Sequence, residues 1–232
     1  MTPLITVSHM SFGFRDRTLY DDLSFELARG SMTSLIGANG VGKTTLIRLL
    51  MGQLAPTAGT IARASDLSLG YVPQFRNIDP EYPLTIRQFV QLNQRKRRLP
   101  WHTKAEKAAL DAVIAQCDLS ERQHQRLGAA SGGEKQKAYL AQALLTQPNF
   151  LILDEATASL DVNTKTELMS LVRRLNRELG LTVLFVTHDL ELAREFTGQY
   201  LLLTATGHEL APTATMDLAK MPRELTPVAE VQ

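Results

Sequence analysis

The chain is short of the features that fix many proteins to a class. It has one cysteine, Cys117, one tryptophan, Trp101, and no excess of either charge, since 25 basic and 24 acidic side chains leave a formal net charge of +1. A single cysteine excludes an intrachain disulfide and points to a reducing compartment. Its neighbours Leu110, Val113 and Ile114 share a helical face with it, which reads as a core thiol. Near-neutral charge excludes a partner held by neutralising nucleic-acid phosphates. No apolar run approaches the roughly 20 residues that cross a bilayer. The N-terminus lacks the charged-then-apolar pattern of a secretory signal. The five histidines are scattered, without metal-ligand spacing. Internal repeats and low-complexity segments are missing as well. With 232 residues, 44% of them hydrophobic, the chain can bury one large core, or a core and a small lobe.

What is present is more specific. Gly37, Ala38, Asn39, Gly40, Val41, Gly42, Lys43 and Thr44 form a complete phosphate-gripping loop. The apolar stretch Met32–Ile36 precedes it as a strand, and Leu46, Leu49 and Leu50 follow at helical spacing. Glycines let the backbone wrap an anion so that amides converge on it, and the helix N-terminus adds positive potential. Lys43 is placed to reach the β- and γ-phosphates of a nucleotide, and the Thr44 hydroxyl to ligate Mg²⁺. A second signal is the apolar run Phe150–Leu153, ending in Asp154 and Glu155. It reads as a parallel strand buried on both faces, with carboxylates at the ligand-binding end of the sheet. Asp154 would hold the Mg²⁺ shell through water, and Glu155 would orient or deprotonate the water that attacks the γ-phosphate. The alternative is that one of the two caps the following helix.

Four further clusters stand in order around this pair. Ala130 to Lys137, with Ser131, Gly132 and Gly133, opens a helix whose inner face is Ala138, Ala141, Leu144 and Leu145. Thr157–Asp161 follows the acidic strand, and Val183–Val186 is another buried strand, ending in Thr187, His188 and Asp189. Upstream, Gly70–Gln74 ends a strand in a glutamine. Together these six ordered motifs resemble the ATP-binding cassette (ABC) ATPase family over essentially the whole chain.

The resemblance implies an α/β fold: a P-loop NTPase core with a mainly parallel sheet, an antiparallel β layer and an inserted α-helical subdomain. It implies ATP and Mg²⁺ as cofactors and ATP hydrolysis as the activity. The nucleotide-binding set it implies is Phe14, Gly37–Thr44, Thr45, Gln74, Ser131, Gly132, Gly133 and Asp161. Phe14 would stack on adenine, with Phe12 as the second choice and a core role as the alternative. Gln74 would sense the γ-phosphate through Mg²⁺ or water, and so joins Thr44 and Asp154 around the metal. Ser131 and Gly133 would clasp the γ-phosphate held by another protomer, and Asp161 would make the crossing contact. His188 would hold the γ-phosphate and water in line, beside Glu155, Gln74 and Lys43 as catalytic residues. Its alternative is a satisfied histidine or a helix cap. Four positions depart from the usual pattern: Ala130 for leucine, Glu134 for glutamine, Lys137 for arginine, and Ala156 where many importers have proline. Glu134 brings negative charge near a phosphate site.

The organisation reads as one domain over 1–232. Its catalytic core with the β layer comprises 1–83 and 129–210, a helical insertion spans 84–128, and 211–232 is a short tail. Short β stretches at Leu4–Val7, Leu23–Leu27 and about Gly59–Leu69 suit the antiparallel layer. The insertion carries a face of Ile86, Phe89 and Val90 and another of Ala109, Leu110, Val113, Ile114 and Cys117. A helix at Asn163–Leu179 would turn Leu168, Leu171, Val172, Leu175 and Leu179 inward. The run Arg95–Arg98 with Trp101 reads as a solvated loop, or as a contact with lipid headgroups or an acidic partner.

Family-level partners follow from the same resemblance: a head-to-tail homodimer with ATP at its interface, membrane-spanning permease subunits, and an extracytoplasmic substrate-binding protein. The protein would sit on the cytoplasmic face of the cell membrane. Gln74–Thr85 resembles the stretch found in manganese, zinc and iron importers. A soluble ATPase of cofactor assembly is the other class of this length, whereas DNA-repair and ribosome-acting relatives carry coiled-coil insertions or a second cassette.

Overall fold

The computed structural model describes residues 2–14, 17–74, 79, 81–94, 103–204, 207–218 and 221. The Arg95–Arg98 run with Trp101, residues 75–78 and 80 of the importer-like stretch, and the tail from 222 lie outside the described residues.

The chain forms two compact units, one made of residues up to Leu67 and from Thr182 onward, the other of Ser68–Leu181. In chain order the elements are β1 (Pro3–Phe14), β2 (Arg17–Ala28), β3 (Met32–Gly37), α1 (Lys43–Leu50) and β4 (Ala58–Arg63) in the first unit. The second unit holds β5 (Leu69–Val72), α2 (Ile86–Gln91), α3 (Lys104–Gln116), α4 (Gly132–Leu144), β6 (Phe150–Asp154) and α5 (Val162–Leu179). The chain returns to the first unit with β7 (Thr182–Val186), α6 (Leu190–Phe196), β8 (Gln199–Thr204) and β9 (Gly207–Pro212).

In the first unit, β2, β1 and β4 pair antiparallel in that order. Strand β1 buries Val7, Met10 and Phe12. The odd spacing between Val7 and Met10 is absorbed at His9, which takes φ +49° where the register shifts. Strand β3 is buried at all six positions and pairs parallel with β7 and β8, as its unbroken apolar pattern requires. Antiparallel β9 pairs with β8. On α1, Leu46, Leu49 and Leu50 are buried as their spacing predicts, with Ile47 beside them. Each such side chain stabilises the core by about 2 kcal/mol.

In the second unit, β5 and β6 pair parallel, Tyr71 beside Ile152 and Val72 beside Leu153. Helices α2, α3 and α4 all begin with the same device, a Thr or Ser whose side chain accepts the N3 amide while the N3 Gln or Glu returns the bond: Thr85 with Gln88, Thr103 with Glu106, Ser131 with Glu134. The ends of the 84–128 segment are stitched together, Leu127 N–H donating to Leu84 O at 2.9 Å and Ile86 N–H to Gln125 O at 3.0 Å. The compact unit extends well past that segment because α2 and α3 both pack on α4, which also meets β5 and α5.

Two details differ from the sequence reading. The stretch expected to run from Gly59 to Leu69 ends at Arg63, and Leu69 starts β5, which joins β6 in a parallel pair instead. Leu168, Leu171, Val172 and Leu175 are buried as expected, but Leu179 is 46% exposed. The helix stops one residue later at Gly180, with φ +66°, so its last turn stands clear of the packed face.

Cys117 closes α3 and is fully buried. Burial first, and then the neighbouring Asp118 carboxylate, push its thiol up to about 12. The folded state therefore favours the protonated thiol. Its contribution to stability is complete below the ordinary thiol range and fades as pH climbs from about 9 towards about 12. At pH 8 the native protein should resist alkylation by iodoacetamide for hours, whereas the unfolded protein should react within minutes. Equal rates in both states would contradict the core assignment.

Candidate active site

The first unit carries the phosphate loop. Strand β3 ends at Gly37 and α1 starts at Lys43, with Gly42 as its N-cap. Gly40 and Gly42 take φ +77° and +117°, a region that side chains with a Cβ rarely enter, so these positions call for glycine. Lys43 is 7% exposed. Its ammonium reaches back across the loop to Gly37 O at 2.7 Å and Ala38 O at 3.1 Å. The first-turn amides of Lys43, Thr44 and Thr45 are those a helix leaves without intrahelical acceptors, which makes this end a ready anion site. Phe14, at the end of β1, is 52% exposed, while Phe12 is buried and meets it edge-on, ring centroids 5.0 Å apart. A core role therefore suits Phe12, and an open face suits Phe14. His188 is half-buried just past β7. The cap of α6 is Asp189, which accepts from Leu192 N–H at 3.1 Å, and not His188.

The second unit carries the acidic pair. Asp154 ends β6, is 8% exposed, and accepts a hydrogen bond from the Tyr71 hydroxyl at 2.8 Å. Glu155 follows with φ +49°, a backbone state that costs a non-glycine residue about 1–3 kcal/mol and collects at functional sites. Its Oε2 accepts from Gln74 Nε2 at 2.8 Å, so two residues 81 positions apart meet. Neither carboxylate caps α5. That role falls to Asp161, which accepts from Thr164 N–H at 3.1 Å and the Thr164 hydroxyl at 2.6 Å. The Thr164 hydroxyl, then its amide, hold the Asp161 carboxyl below the ordinary carboxylate range.

Ser131 is the N-cap of α4. The departure at Glu134 has a local use: its carboxylate accepts Ser131 N–H at 2.7 Å and pairs with Arg122 at 3.3 Å, which balances the added charge. The departure at Lys137 is likewise paired, with Glu167. Gly133 also answers to packing, since a Cβ there would lie 2.6 Å from Thr164 Cγ2.

The sequence thus placed the loop, the acidic pair and Gln74, but missed Tyr71 and Tyr20. Tyr71 faces Asp154 only because β5 and β6 pair parallel in one register, which local spacing does not encode. Tyr20 bonds the loop from a strand 22 residues upstream.

In the first unit Thr44 carries a hydroxyl, and in the second Asp154 and Gln74 carry carboxylate and amide oxygens; each is a hard donor of the kind that suits Mg²⁺. Asp154, buried and steered by Tyr71, fits that use on its own geometry.

Among the described residues no helix is long and apolar enough to cross a membrane. The profile of the ABC transporter family matches residues 20–158. The zinc import ATP-binding protein ZnuC of Yersinia enterocolitica is 39% identical over 203 residues, covering 88% of this chain and 77% of its own. Its counterpart in Photorhabdus laumondii is 39% identical over 206 residues, covering 88% and 76%. Among solved structures, cbiO1 from Clostridium perfringens, part of the ABC transporter complex cbiONQ, matches with a TM-score of 0.80 at 25% identity, over 91% of this chain and 89% of that one. A metal-chelate type ABC transporter in an inward-facing conformation matches with a TM-score of 0.84 at 24% identity, over 94% and 86%, a likeness of fold. With well over half its length matched by the family profile, and relatives this similar over most of both chains, the chain belongs to the ABC transporter family as an ATP-binding subunit that hydrolyses ATP.

Proposed function

We propose that this chain is the energy-coupling ATPase of a bacterial importer of divalent metal ions, with zinc, the cargo named for its relatives, as the first candidate among zinc, manganese and iron. The observation that carries the hydrolytic part is the Gln74–Glu155 hydrogen bond at a backbone position of positive φ. A strained glutamate, steered by an amide, is a carboxylate kept in one direction.

MgATP, when bound, supplies the γ-phosphoryl group and a metal charge on it. The loop amides and Lys43 would grip the phosphates, and Thr44, Asp154 and Gln74 would serve the metal. Phe14 stacks on adenine. Glu155 takes the proton from the attacking water at a carboxylate oxygen, and His188 keeps the reacting groups in line. Such positioning and charge stabilisation is most of what phosphoryl transfer requires of a protein.

Two copies would meet head to tail, each offering Ser131, Gly132 and Gly133 to the other's nucleotide and Asp161 to the crossing contact. Val162, next to Asp161, is 76% exposed, an apolar side chain suited to such a surface. Closure of the pair would drive permease subunits from the cytoplasmic face, with an extracytoplasmic protein delivering the cargo.

Isolation of the native complex from membranes tests the assignment. A multi-span membrane protein should co-purify, and deletion of this chain should abolish energy-dependent uptake of zinc, manganese or iron. Unchanged metal uptake with loss of another solute would overturn the cargo. Recovery with soluble partners alone would overturn the transport role.

A further inference from the structure

Strand β2 touches the phosphate loop from outside. Tyr20, 6% exposed, donates its hydroxyl to the carbonyl of Gly42 at 2.5 Å, and Arg17, three residues earlier, donates to the carbonyl of Gly40 at 3.3 Å. A Cβ added at Gly42 would collide with the Tyr20 hydroxyl, so the phenol oxygen occupies the space that glycine leaves. The Leu46 N–H donates to the same Gly42 carbonyl at 2.9 Å, so the hydroxyl and the first turn of α1 share one acceptor.

The geometry assigns Tyr20 as a positioning residue for nucleotide binding: its hydroxyl fixes the Gly42–Lys43 peptide so that the loop presents its amides to phosphate before the nucleotide arrives. In a trans peptide the C=O and the following N–H point in opposite directions. Holding the Gly42 carbonyl towards β2 therefore turns the Lys43 N–H away from β2. Gly42 needs such a restraint more than another residue would, because without a Cβ it roams φ freely. Fixing it beforehand removes an ordering cost from binding.

The same strand pairing ties this hold to the base end of the site. In the β1–β2 ladder Phe12 lies opposite Tyr20, and Phe14 opposite Arg17. One ladder, its register shifting between Phe12 and Gly13, thus carries the exposed aromatic and both loop contacts. Burial raises the Tyr20 phenol above its ordinary value, so it stays a donor through the alkaline range. At 6% exposure, solvent has little access to replace it.

The inference rests on the phosphate-loop reading, and the test separates the two. In the full-length protein, Tyr20→Phe removes the hydroxyl and keeps the ring. We expect the Kd for MgATP, and the KM, to rise about three- to tenfold, the scale of one buried hydrogen bond, with kcat at saturation within twofold of wild type. A purely structural tyrosine would lower thermal stability and leave Kd alone. Arg17→Gln, which keeps a donor of shorter reach, should raise Kd less than Tyr20→Phe does. An unchanged Kd in Tyr20→Phe, while Lys43→Ala binds ATP more weakly, overturns the positioning role only. Normal ATP binding by Lys43→Ala overturns the phosphate-loop reading itself. If Tyr20→Phe folds poorly, isothermal titration of its folded fraction still yields the Kd, and the same rise is expected there.

Discussion

Glu155→Gln should lower ATP turnover by about 10²- to 10⁴-fold, the range of a lost general base, while MgATP still binds as tightly as in the wild type. The reason lies in what the substitution leaves untouched. A glutamine side chain has the shape of glutamate, and its carbonyl oxygen still accepts the Gln74 amide that now meets Glu155 at 2.8 Å. The positive φ at 155 is a property of the turn after β6 and stays as well. Only the basic oxygen is lost. Phosphate release at saturating MgATP measures the effect, and turnover within threefold of wild type would remove Glu155 from water activation. Because binding survives, this variant should also hold the nucleotide-bound state long enough to be isolated.

Lys43→Ala should act at the other end of the reaction and weaken MgATP binding about 10- to 100-fold, the scale of one charge-assisted hydrogen bond to an anion. Lys43 is nearly buried, and its ammonium spans the loop to Gly37 O and Ala38 O. Truncation removes the cation and also leaves two loop carbonyls short of a donor. Both effects fall on the phosphate site, so Kd should move more than thermal stability does. Equilibrium binding of a fluorescent ATP analogue checks this, and wild-type affinity would contradict the assignment of the loop.

The parts of the site legible in the sequence are those whose chemistry is local. A loop such as Gly37–Thr44 needs its glycines at fixed offsets, because φ at Gly40 and Gly42 is positive. Strands β3, β6 and β7 announce themselves because burial on both faces removes polar alternation. Contacts set by register were not legible. Tyr71 reaches Asp154, 83 positions on, through the β5–β6 pairing, and Tyr20 reaches Gly42, 22 positions on, from β2 to a loop outside its own sheet. Helix ends were only half legible. Ser131, Asp161 and Asp189 are all N-caps, which the sequence allows at each, but residues of the same types also serve ligands. Leu179 failed because periodicity continues in the sequence after the packed face has ended.

On the proposed mechanism two copies of this chain share each ATP, one giving the phosphate loop and the other Ser131–Gly133. At ATP concentrations near the wild-type Kd, Ser131→Arg and Lys43→Ala should each hydrolyse little ATP alone, for different reasons, and mixing them offers the most direct test. A mixed pair would combine both lesions in one composite site and leave the other site whole. An equimolar mixture, allowed to exchange, should therefore hydrolyse ATP well above either variant by itself. Activity no greater than the sum of the two separate variants, with mixed pairs confirmed by mass, would contradict a shared site.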